Sequence, residues 1–356
     1  MYQDRINRVA ALMREENLQQ IIVSSTASVY YLTGLWVEPH ERMLALLIDD
    51  SGKTVLYGNA LFGLSESDTL PLRIHTDQDN PVKDLAFDLS PGLVGIDKFW
   101  YSKFLLGVLA LRDDVKPVDG SRPVDMARMR KDETERDFMR HSSKMNDEVI
   151  ACAIAAVRDG VRENELAGLI NREFLKRGAD CEGTQLVCFG ANGADPHHSA
   201  DSSVLKPGDS IVFDIFTPIS RYWCDMTRTV FYKSASAKQR EVYELVRRAN
   251  EVAIAAARPG ISLSELDGIA RGIITDGGYG EYFTHRLGHG CGLDCHEPPD
   301  VSGVSYAPLE EGMIFSVEPG IYLPGEFGVR IEDLVLITKD GCEVLNAYPK
   351  DLKIID

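Results

Sequence analysis

Hydrophobic and polar positions in the first third of the chain alternate between helical and strand spacing. Residues 4–18 form an amphipathic stretch, which predicts a helix. Short apolar runs follow at residues 21–23, 43–48 and 93–96 and predict strands. Together, the helical stretch and the three strand runs indicate a small α/β domain in the first third of the chain.

The pattern breaks near residues 116–130, where Pro117 and Pro123 interrupt it. Beyond the break, Asp132 precedes an acidic turn that opens a long helical stretch. A chain of 356 residues also exceeds the roughly 250 to 300 residues at which single cores stop growing. We therefore predict two domains, residues 1–122 and residues 123–356.

An internal repeat runs through the larger domain at an offset of about 100 residues. The matching pairs are Arg158-Asp159-Gly160-Val161 with Arg258-Pro259-Gly260-Ile261, Asp195-Pro196-His197 with Asp294-Cys295-His296, and the runs that reach Asp214 and Glu318. Each half contains two helices, a histidine-bearing segment and a strand that ends in a carboxylate. If the halves pack about a pseudo-twofold axis, each carboxylate and each histidine approaches its counterpart.

The first pair of carboxylates lies in a predicted hairpin. Asp214 ends the apolar run 210–213, and Asp225 follows a polar turn just before the strand-like residues 227–232. A hairpin of this form brings both carboxylates onto one face.

The second half repeats the arrangement. Residues 313–318 predict a strand that ends in Glu318, residues 319–328 predict a turn, and residues 329–337 predict a strand that carries Glu332. Two hairpins thus supply four carboxylates, each in apolar surroundings.

Carboxylates gathered inside a core are destabilising unless they are protonated or meet cations, because like charges and desolvation add. Divalent metals are the simplest solution, and an imidazole among oxygen ligands shifts the preference towards Mn, Fe, Co or Zn. The segment His285-Arg286-Leu287-Gly288-His289-Gly290 offers two histidines, one as a plausible ligand and the other as a substrate contact. Two metal ions that share a water molecule activate it near neutral pH and polarise a carbonyl, so the site indicates amide hydrolysis.

Composition argues against several other classes of function. A formal net charge of −17 opposes binding to nucleic acid. The N-terminus has no apolar secretory core, and no run is long enough to span a bilayer, so we expect a cytoplasmic protein without membrane contacts. The seven cysteines are scattered and odd in number, which indicates reduced thiols. Cys291 and Cys295 are interpreted as ordinary buried thiols and not as a zinc site.

The motifs closely resemble those of the pita-bread-fold metallopeptidases, the family of aminopeptidase P, prolidase, methionine aminopeptidase and creatinase. Their order and spacing follow the family across the C-terminal two thirds of the chain. The matching pieces are Asp214 with Asp225-Met226-Thr227-Arg228-Thr229, His285 through His296-Glu297-Pro298-Pro299, Val317-Glu318-Pro319-Gly320 and Val329-Arg330-Ile331-Glu332-Asp333.

By this resemblance, five residues hold two divalent metal ions, with Mn as the first choice and Co, Zn or Fe as alternatives. The resemblance implies that Asp214 binds one ion and that His289 and Glu318 bind the other. It implies that Asp225 and Glu332 bridge both ions. Glu318 would also be the general base for the shared water molecule.

Four further residues have roles that follow from the resemblance, two of them at the substrate carbonyl. His197 and His296 would contact that carbonyl and stabilise the tetrahedral intermediate. His285 would line the substrate site, and Arg330 would lie there too and orient the bridging carboxylates. Phe216 departs from the pattern, since many relatives have Gly two residues after the first Asp. Its ring would narrow the site or shift the hairpin.

The N-terminal segment Tyr30-Tyr31-Leu32-Thr33-Gly34 resembles the small creatinase-type domain of prolidase and aminopeptidase P. The implied activity is hydrolysis of the Xaa-Pro bond in short peptides with proline at the second position, by a homodimer. The choice between dipeptides and longer peptides is left open. The alternatives are a creatinase-like or other small-amide hydrolase, and a non-catalytic peptide-binding module. The five retained ligands argue against a hydrolase without metals and against the binding module.

Overall fold

Two units make up the chain, residues 1–128 and residues 129–356, and the computed structural model describes residues 2–65 and 70–356. The predicted domain boundary at residues 122/123 falls at the start of the helix Arg122–Met129. Within the described residues, none of the helices combines the length and the apolar character needed to cross a membrane.

The N-terminal unit is built on a six-stranded mixed sheet. The elements of this unit are α1 (Gln3–Glu15), β1 (Gln20–Val23), α2 (Thr26–Thr33), β2 (Ala45–Asp49), β3 (Thr54–Asn59), β4 (Leu72–His75), α3 (Pro81–Asp88), β5 (Gly92–Ile96), α4 (Ser102–Leu111), β6 (Val115–Asp119) and α5 (Arg122–Met129). The sheet order is β4-β3-β2-β1-β5-β6, in which β1 is antiparallel to β2 and parallel to β5. The predicted α/β character of this part of the chain is confirmed.

The first helix buries one face, as the spacing of its apolar residues predicts. Helix α1 buries Ile6, Val9, Ala10 and Met13, which stand three, four and seven residues after the first of them and therefore lie on one face. The predicted amphipathic helix is confirmed, and the three predicted strands of this unit correspond to β1, β2 and β5.

The C-terminal unit contains a four-stranded sheet, a five-stranded sheet and a two-stranded ribbon. Its elements are α6 (Glu133–Ala155), α7 (Glu163–Lys176), β7 (Leu186–Phe189), β8 (Ser210–Ile219), β9 (Tyr222–Tyr232), α8 (Ala237–Ala256), α9 (Leu263–Asp276), β10 (Gly288–Gly290), β11 (Glu297–Val301), β12 (Ile314–Val317), β13 (Gly320–Leu323), β14 (Phe327–Arg330), β15 (Asp333–Ile337), β16 (Cys342–Val344) and β17 (Ile354–Ile355). The sheet orders are β17-β9-β8-β7 and β11-β10-β12-β15-β16, and β13 pairs with β14.

The long helix α6 begins where the sequence predicts it. The Asp132 side chain accepts a hydrogen bond from the backbone N–H of Glu135, and the Glu135 carboxylate accepts one from the backbone N–H of Asp132. This reciprocal cap satisfies two backbone donors that the first helical turn leaves without partners.

Equivalent hydrogen bonds recur in the two halves of the C-terminal unit. The backbone N–H of Leu205 donates to Val161 O at 3.0 Å, and that of Leu309 donates to Ile261 O at 2.8 Å. In both halves the bond joins the segment between the two helices to the segment just before the strand that leads to Asp214 or Glu318. The repeat seen in the sequence is therefore also present in the structure.

Two fully buried asparagines tie the long helices to those strands. Asn146 on α6 donates to Ile215 O at 3.0 Å, and Asn250 on α8 donates to Val317 O at 2.8 Å. Each accepting carbonyl belongs to a residue adjacent to Asp214 or Glu318, so each helix fixes the backbone beside a carboxylate.

The first hairpin is longer than predicted. Strand β8 does not end at Asp214 but continues to Ile219, and β9 begins at Tyr222, so Asp225 lies inside a strand. The register pairs Asp214 with Thr227 and Phe216 with Asp225 without interruption. Because alternate residues of a strand share a face, the two carboxylates lie on one side, as predicted. The ring at position 216 does not shift the hairpin.

The second hairpin is broken, and the single strand predicted over residues 329–337 is wrong. Strand β12 pairs with β15, whereas β13 pairs with β14 in a separate ribbon. Glu318 lies at the break between β12 and β13, and Glu332 lies at the break between β14 and β15. Pro319 has no N–H to continue the ladder, which accounts for the first break. The backbone N–H of Glu332 donates instead to Thr227 O at 3.1 Å, in the first hairpin.

Candidate metal centre

A cavity of about 940 Å³ in the C-terminal unit brings the predicted site residues together. All of the residues to which the sequence assigned metal, catalytic or substrate roles line it: His197, Asp214, Asp225, His285, His289, His296, Glu318, Arg330 and Glu332. They come from both halves of the repeat, so the approach of the two halves that the sequence predicted is observed.

His289 is oriented as a ligand. Its Nδ1 lies 3.1 Å from Gly290 O, so this nitrogen carries the proton and donates to the carbonyl. The opposite nitrogen, Nε2, lies 3.3 Å from Glu318 Oε1 and 3.8 Å from Asp225 Oδ2. Burial lowers the pKa of His289 to about 4, which keeps the imidazole neutral and its lone pair available to a cation near neutral pH.

Single oxygen atoms of Asp225 and Glu332 lie with a His289 ring nitrogen in a group whose ligand atoms are all within 4.8 Å of one another. Burial, followed by the charges of Glu332 and Asp214, raises the pKa of the Asp225 carboxyl well above its ordinary value. Burial, followed by the charges of Glu318 and Asp214, does the same to Glu332. These shifts report how unfavourable the gathered and buried negative charge is.

Three carboxylate oxygens support the same conclusion. Asp214 Oδ1, Asp225 Oδ1 and Glu332 Oε1 are buried, and no residue within 2–65 or 70–356 donates a hydrogen bond to them. Buried polar atoms are nearly always satisfied in folded proteins. Oxygen atoms of this kind beside a neutral imidazole form a donor set that fits divalent cations.

Glu318 is held by a neighbouring hydroxyl. Ser316 Oγ accepts from the backbone N–H of His289 at 2.9 Å and donates to Glu318 Oε1 at 3.0 Å. The serine thus couples the positions of the imidazole and the carboxylate, and the Glu318 side chain remains 14% exposed.

Arg330 is the buried cation of the site. Its Nη2 donates to Asp214 Oδ2 at 2.5 Å, and its Nε donates to Thr227 Oγ1 at 3.0 Å. The same threonine hydroxyl donates to Glu332 Oε2 at 2.8 Å. Arg330 therefore orients one carboxylate directly and a second through Thr227, whereas the sequence placed its effect on the two bridging carboxylates.

His285 belongs to the same network. Its Nδ1 lies 2.7 Å from Arg286 O and its Nε2 lies 2.8 Å from the Tyr322 hydroxyl, which also accepts from Arg330 Nη1 at 3.0 Å. Nδ1 donates to the carbonyl, so Nε2 accepts from the tyrosine, and burial lowers the pKa of His285, in keeping with a neutral ring. His285 lines the cavity with both ring nitrogens engaged.

The two histidines predicted to contact the substrate carbonyl are both exposed at the cavity surface. The ring of His296 packs edge-on against His289, with centroids 4.0 Å apart. Partial burial, followed by the neighbouring His289, lowers the pKa of His296 to about 4. Near neutral pH it is therefore a neutral N–H donor.

Glu163 anchors the loop that carries His197. Its Oε1 accepts from Phe189 N at 2.7 Å and from Asn192 Nδ2 at 2.9 Å. Its Oε2 lies 2.9 Å from His198 Nε2 and accepts from Asp201 N at 3.1 Å. His198, which the sequence gave no role in the site, holds the loop through this fully buried carboxylate.

Sequence reasoning missed four residues that shape the centre: Ser316, Thr227, Tyr322 and Glu163. Thr227 stands in the quoted Asp-Met-Thr-Arg-Thr motif, so its position was a usable signal. No local pattern marks Tyr322 or Glu163, because their partners are distant in the chain. The seven cysteines are all free thiols, as predicted, and all belong to the described residues.

Comparison with known proteins agrees with this geometry. The sequence profile of metallopeptidase family M24 matches residues 137–339, and that of the creatinase/prolidase N-terminal domain matches residues 5–130. A putative dipeptidase, YkvY of Bacillus subtilis (strain 168), is 34% identical over 363 residues, which cover 99% of this chain and 100% of that protein.

Solved structures give the same result for the fold. The crystal structure of a prolidase from Thermococcus sibiricus matches with a TM-score of 0.94 and 32% identity, over 100% of this chain and 99% of that one. A dipeptidase from Pyrococcus horikoshii OT3 matches with a TM-score of 0.93 and 31% identity, over 99% of this chain and 100% of that one. The predicted fold, a creatinase-like α/β domain followed by a pita-bread domain, is confirmed. The chain belongs to metallopeptidase family M24, with the creatinase/prolidase type of N-terminal domain.

Proposed function

We propose that this metallopeptidase hydrolyses the Xaa-Pro bond of short peptides. The observation that carries the proposal is the convergence of four carboxylates and one neutral imidazole in a single cavity, with three buried oxygens that accept no hydrogen bond from the described residues. The likeness over the full chain to a prolidase from Thermococcus sibiricus supports proline at the second position.

Five residues would hold two divalent cations. Asp214 would bind one, His289 and Glu318 the other, and Asp225 and Glu332 both. When bound, the pair of cations supplies activation of a water molecule and polarisation of the peptide carbonyl. Four hard oxygen ligands with one imidazole favour Mn, with Co, Fe or Zn as alternatives.

Side chains of the protein accept the proton of the attacking water and stabilise the negative charge that develops on the carbonyl oxygen. Glu318 takes the proton of the attacking water, since one of its oxygens is fixed by Ser316 and its side chain remains exposed to the cavity. His296 and His197 donate N–H groups to the carbonyl oxygen as negative charge develops there. Because His296 is neutral near pH 7, this donation adds no charge to the substrate complex.

The test compares three peptides on protein stripped by chelator and then reloaded with Mn. Leu-Pro should be cleaved only after reloading, and Leu-Ala should be cleaved at least about tenfold more slowly, because only proline presents a ring at the second position. Cleavage of the Leu-Pro bond in Leu-Pro-Gly would indicate an aminopeptidase, and resistance of this tripeptide would indicate a dipeptidase. Undiminished cleavage after complete metal removal would refute the metal mechanism, and equal rates on Leu-Ala and Leu-Pro would refute specificity for proline.

A further inference from the structure

An aromatic shelf made of Phe216 and Trp223 adjoins the carboxylates in the cavity. The ring centroids are 6.3 Å apart at an interplanar angle of 40°, and both residues are half-buried and line the cavity. In the β8–β9 register Phe216 lies opposite Asp225, and Trp223 lies opposite Pro218. The shelf therefore continues the strand face that carries Asp214 and Asp225, starting directly beside a carboxylate.

The backbone under the shelf is fixed from both sides. Gln185, which is almost fully buried, accepts from Phe216 N at 3.1 Å and donates to Phe216 O at 3.0 Å. The backbone N–H of Trp223 donates to Gly292 O at 2.8 Å, and Cys291 Sγ donates to Trp223 O at 3.5 Å. The backbone that carries both rings is thus fixed before any ligand arrives, and the rings contact each other, which reduces the entropic cost of binding to them.

The charges of the cavity orient a short peptide. Asp225 and Asp214, the latter paired with Arg330, lie on the shelf's own strands, whereas Arg286, which pairs with Asp300, lines the cavity from the segment before β10. The amino end of a dipeptide is positive and its carboxyl end is negative. These charges favour an orientation with the amino end towards β8 and β9 and the carboxyl end towards Arg286.

We infer that the shelf of Phe216 and Trp223 is the subsite for the first side chain of the peptide and selects a large apolar residue there. This rests on the proposed function for the identity of the substrate. The first side chain is attached to the carbon that also bears the amino group, so it lies on the same strand face. Leu186, paired with Asp214 on β7, extends the apolar surface.

The first experiment measures kcat/KM for Leu-Pro and Gly-Pro on the Mn-loaded protein. Burial of a leucine side chain on the shelf should favour Leu-Pro by about tenfold or more. Phe216→Ala and Trp223→Ala should reduce the ratio to about twofold, and Phe216→Leu should keep most of it. Tyr306→Ala, at an exposed site of the same unit, serves as the control and should leave the ratio unchanged.

A second experiment needs no bond cleavage. Leucinamide and glycinamide are titrated against the Mn-loaded protein while tryptophan fluorescence is recorded, with Trp223→Phe subtracted as the blank. The other two tryptophans belong to the N-terminal unit, so the difference reports on the shelf. Leucinamide should bind about tenfold more tightly than glycinamide, and Phe216→Ala should remove the difference.

The outcomes separate the two proposals. If neither dipeptide is cleaved but leucinamide is preferred, the proposed substrate is wrong and the subsite stands. If Leu-Pro is cleaved but the two amides bind equally, the subsite is wrong and the activity stands. Faster cleavage of Gly-Pro than of Leu-Pro would mean that the rings exclude large side chains, which overturns the inference. If Phe216→Ala does not fold, Phe216→Leu and the amide titration on unmodified protein decide the question.

Discussion

Arg330 Nη2 donates to Asp214 Oδ2 at 2.5 Å, and this contact joins the two halves of the repeat inside the candidate metal centre. The Arg330 side chain is 5% exposed, and its guanidinium also donates to the Thr227 and Tyr322 hydroxyls. The planar guanidinium holds its N–H donors at fixed angles, so it suits several partners at once better than the single ammonium group of a lysine does. The contact therefore sets where the Asp214 carboxylate points before a cation binds.

Replacement of this guanidinium should weaken metal binding. Arg330→Lys keeps the charge but loses simultaneous contact with Asp214 and Thr227, so we expect Mn affinity to fall by about 10-fold to 100-fold. Isothermal titration on the stripped protein measures it. Arg140→Lys is the matched control, because Arg140 pairs with Glu343 and lies outside the cavity lining. Unchanged affinity in Arg330→Lys would show that the contact does not orient the ligand.

The histidines differ in their predicted effect on metal content. His289→Ala should lose at least one of the two cations, because its Nε2 points at Glu318 and Asp225. His296→Ala should retain both and lower kcat by about 100-fold, the scale observed when one donor to a developing oxyanion is removed. Metal analysis after gel filtration, paired with kinetics, distinguishes them. Loss of both cations from His296→Ala would contradict the assignment.

The stabilising effect of metal should grow with pH. Asp225 and Glu332 have raised pKa values in the folded chain, so without metal the folded state binds more protons than the unfolded state. Metal-free stability should therefore fall as pH rises above the ordinary carboxyl pKa of about 4, towards the raised values. Carboxylates that bind a metal ion do not cause this loss of stability as pH rises.

The measurement is Tm with and without Mn at pH 5.5 and pH 7.5. The difference between loaded and stripped protein should be larger at pH 7.5. Asp225→Asn, which removes one of the buried charges, should reduce the pH dependence of the stripped protein. A difference that shrinks as pH rises would contradict the expected sign.

The Glu163 anchor should matter for turnover as well as stability. Glu163→Ala leaves buried donors around Phe189 and Asn192 without their acceptor, so the free energy of unfolding should fall by about 3 kcal/mol. Because the same carboxylate holds the loop that presents His197, kcat should fall while metal content is retained.

A matched control separates loop placement from general destabilisation. Leu263 stands in the second half where Glu163 stands in the first, and it is a buried apolar residue. Leu263→Ala should cost about 2 to 5 kcal/mol by leaving a cavity, with kcat maintained at a temperature well below unfolding. Equal loss of kcat in both variants would assign the Glu163 effect to stability alone.

The sequence by itself determined the elements whose signals are local. The spacing of apolar residues fixed α1, the Asp132 cap fixed the start of α6, and the offset of about 100 residues exposed the repeat. It also indicated the four carboxylates and a nearby imidazole, since carboxylates gathered in a core are unfavourable without cations, whereas the roles of the other cavity residues followed from the resemblance to the family. The conclusions on α1, α6 and the repeat rest on neighbours within one or two turns of chain, or on direct repetition.

Tertiary structure alone decided how those residues are presented. The break at Glu318 and Glu332 depends on where each backbone finds its partner, and the backbone N–H of Glu332 finds Thr227 in the other hairpin. The contacts of Arg330 and Glu163 likewise join atoms far apart in the chain, and no periodicity records them. Hydrophobic patterning specifies which face of a strand is buried, but hydrogen bonds between distant segments specify where the strand bends and which way a carboxylate points.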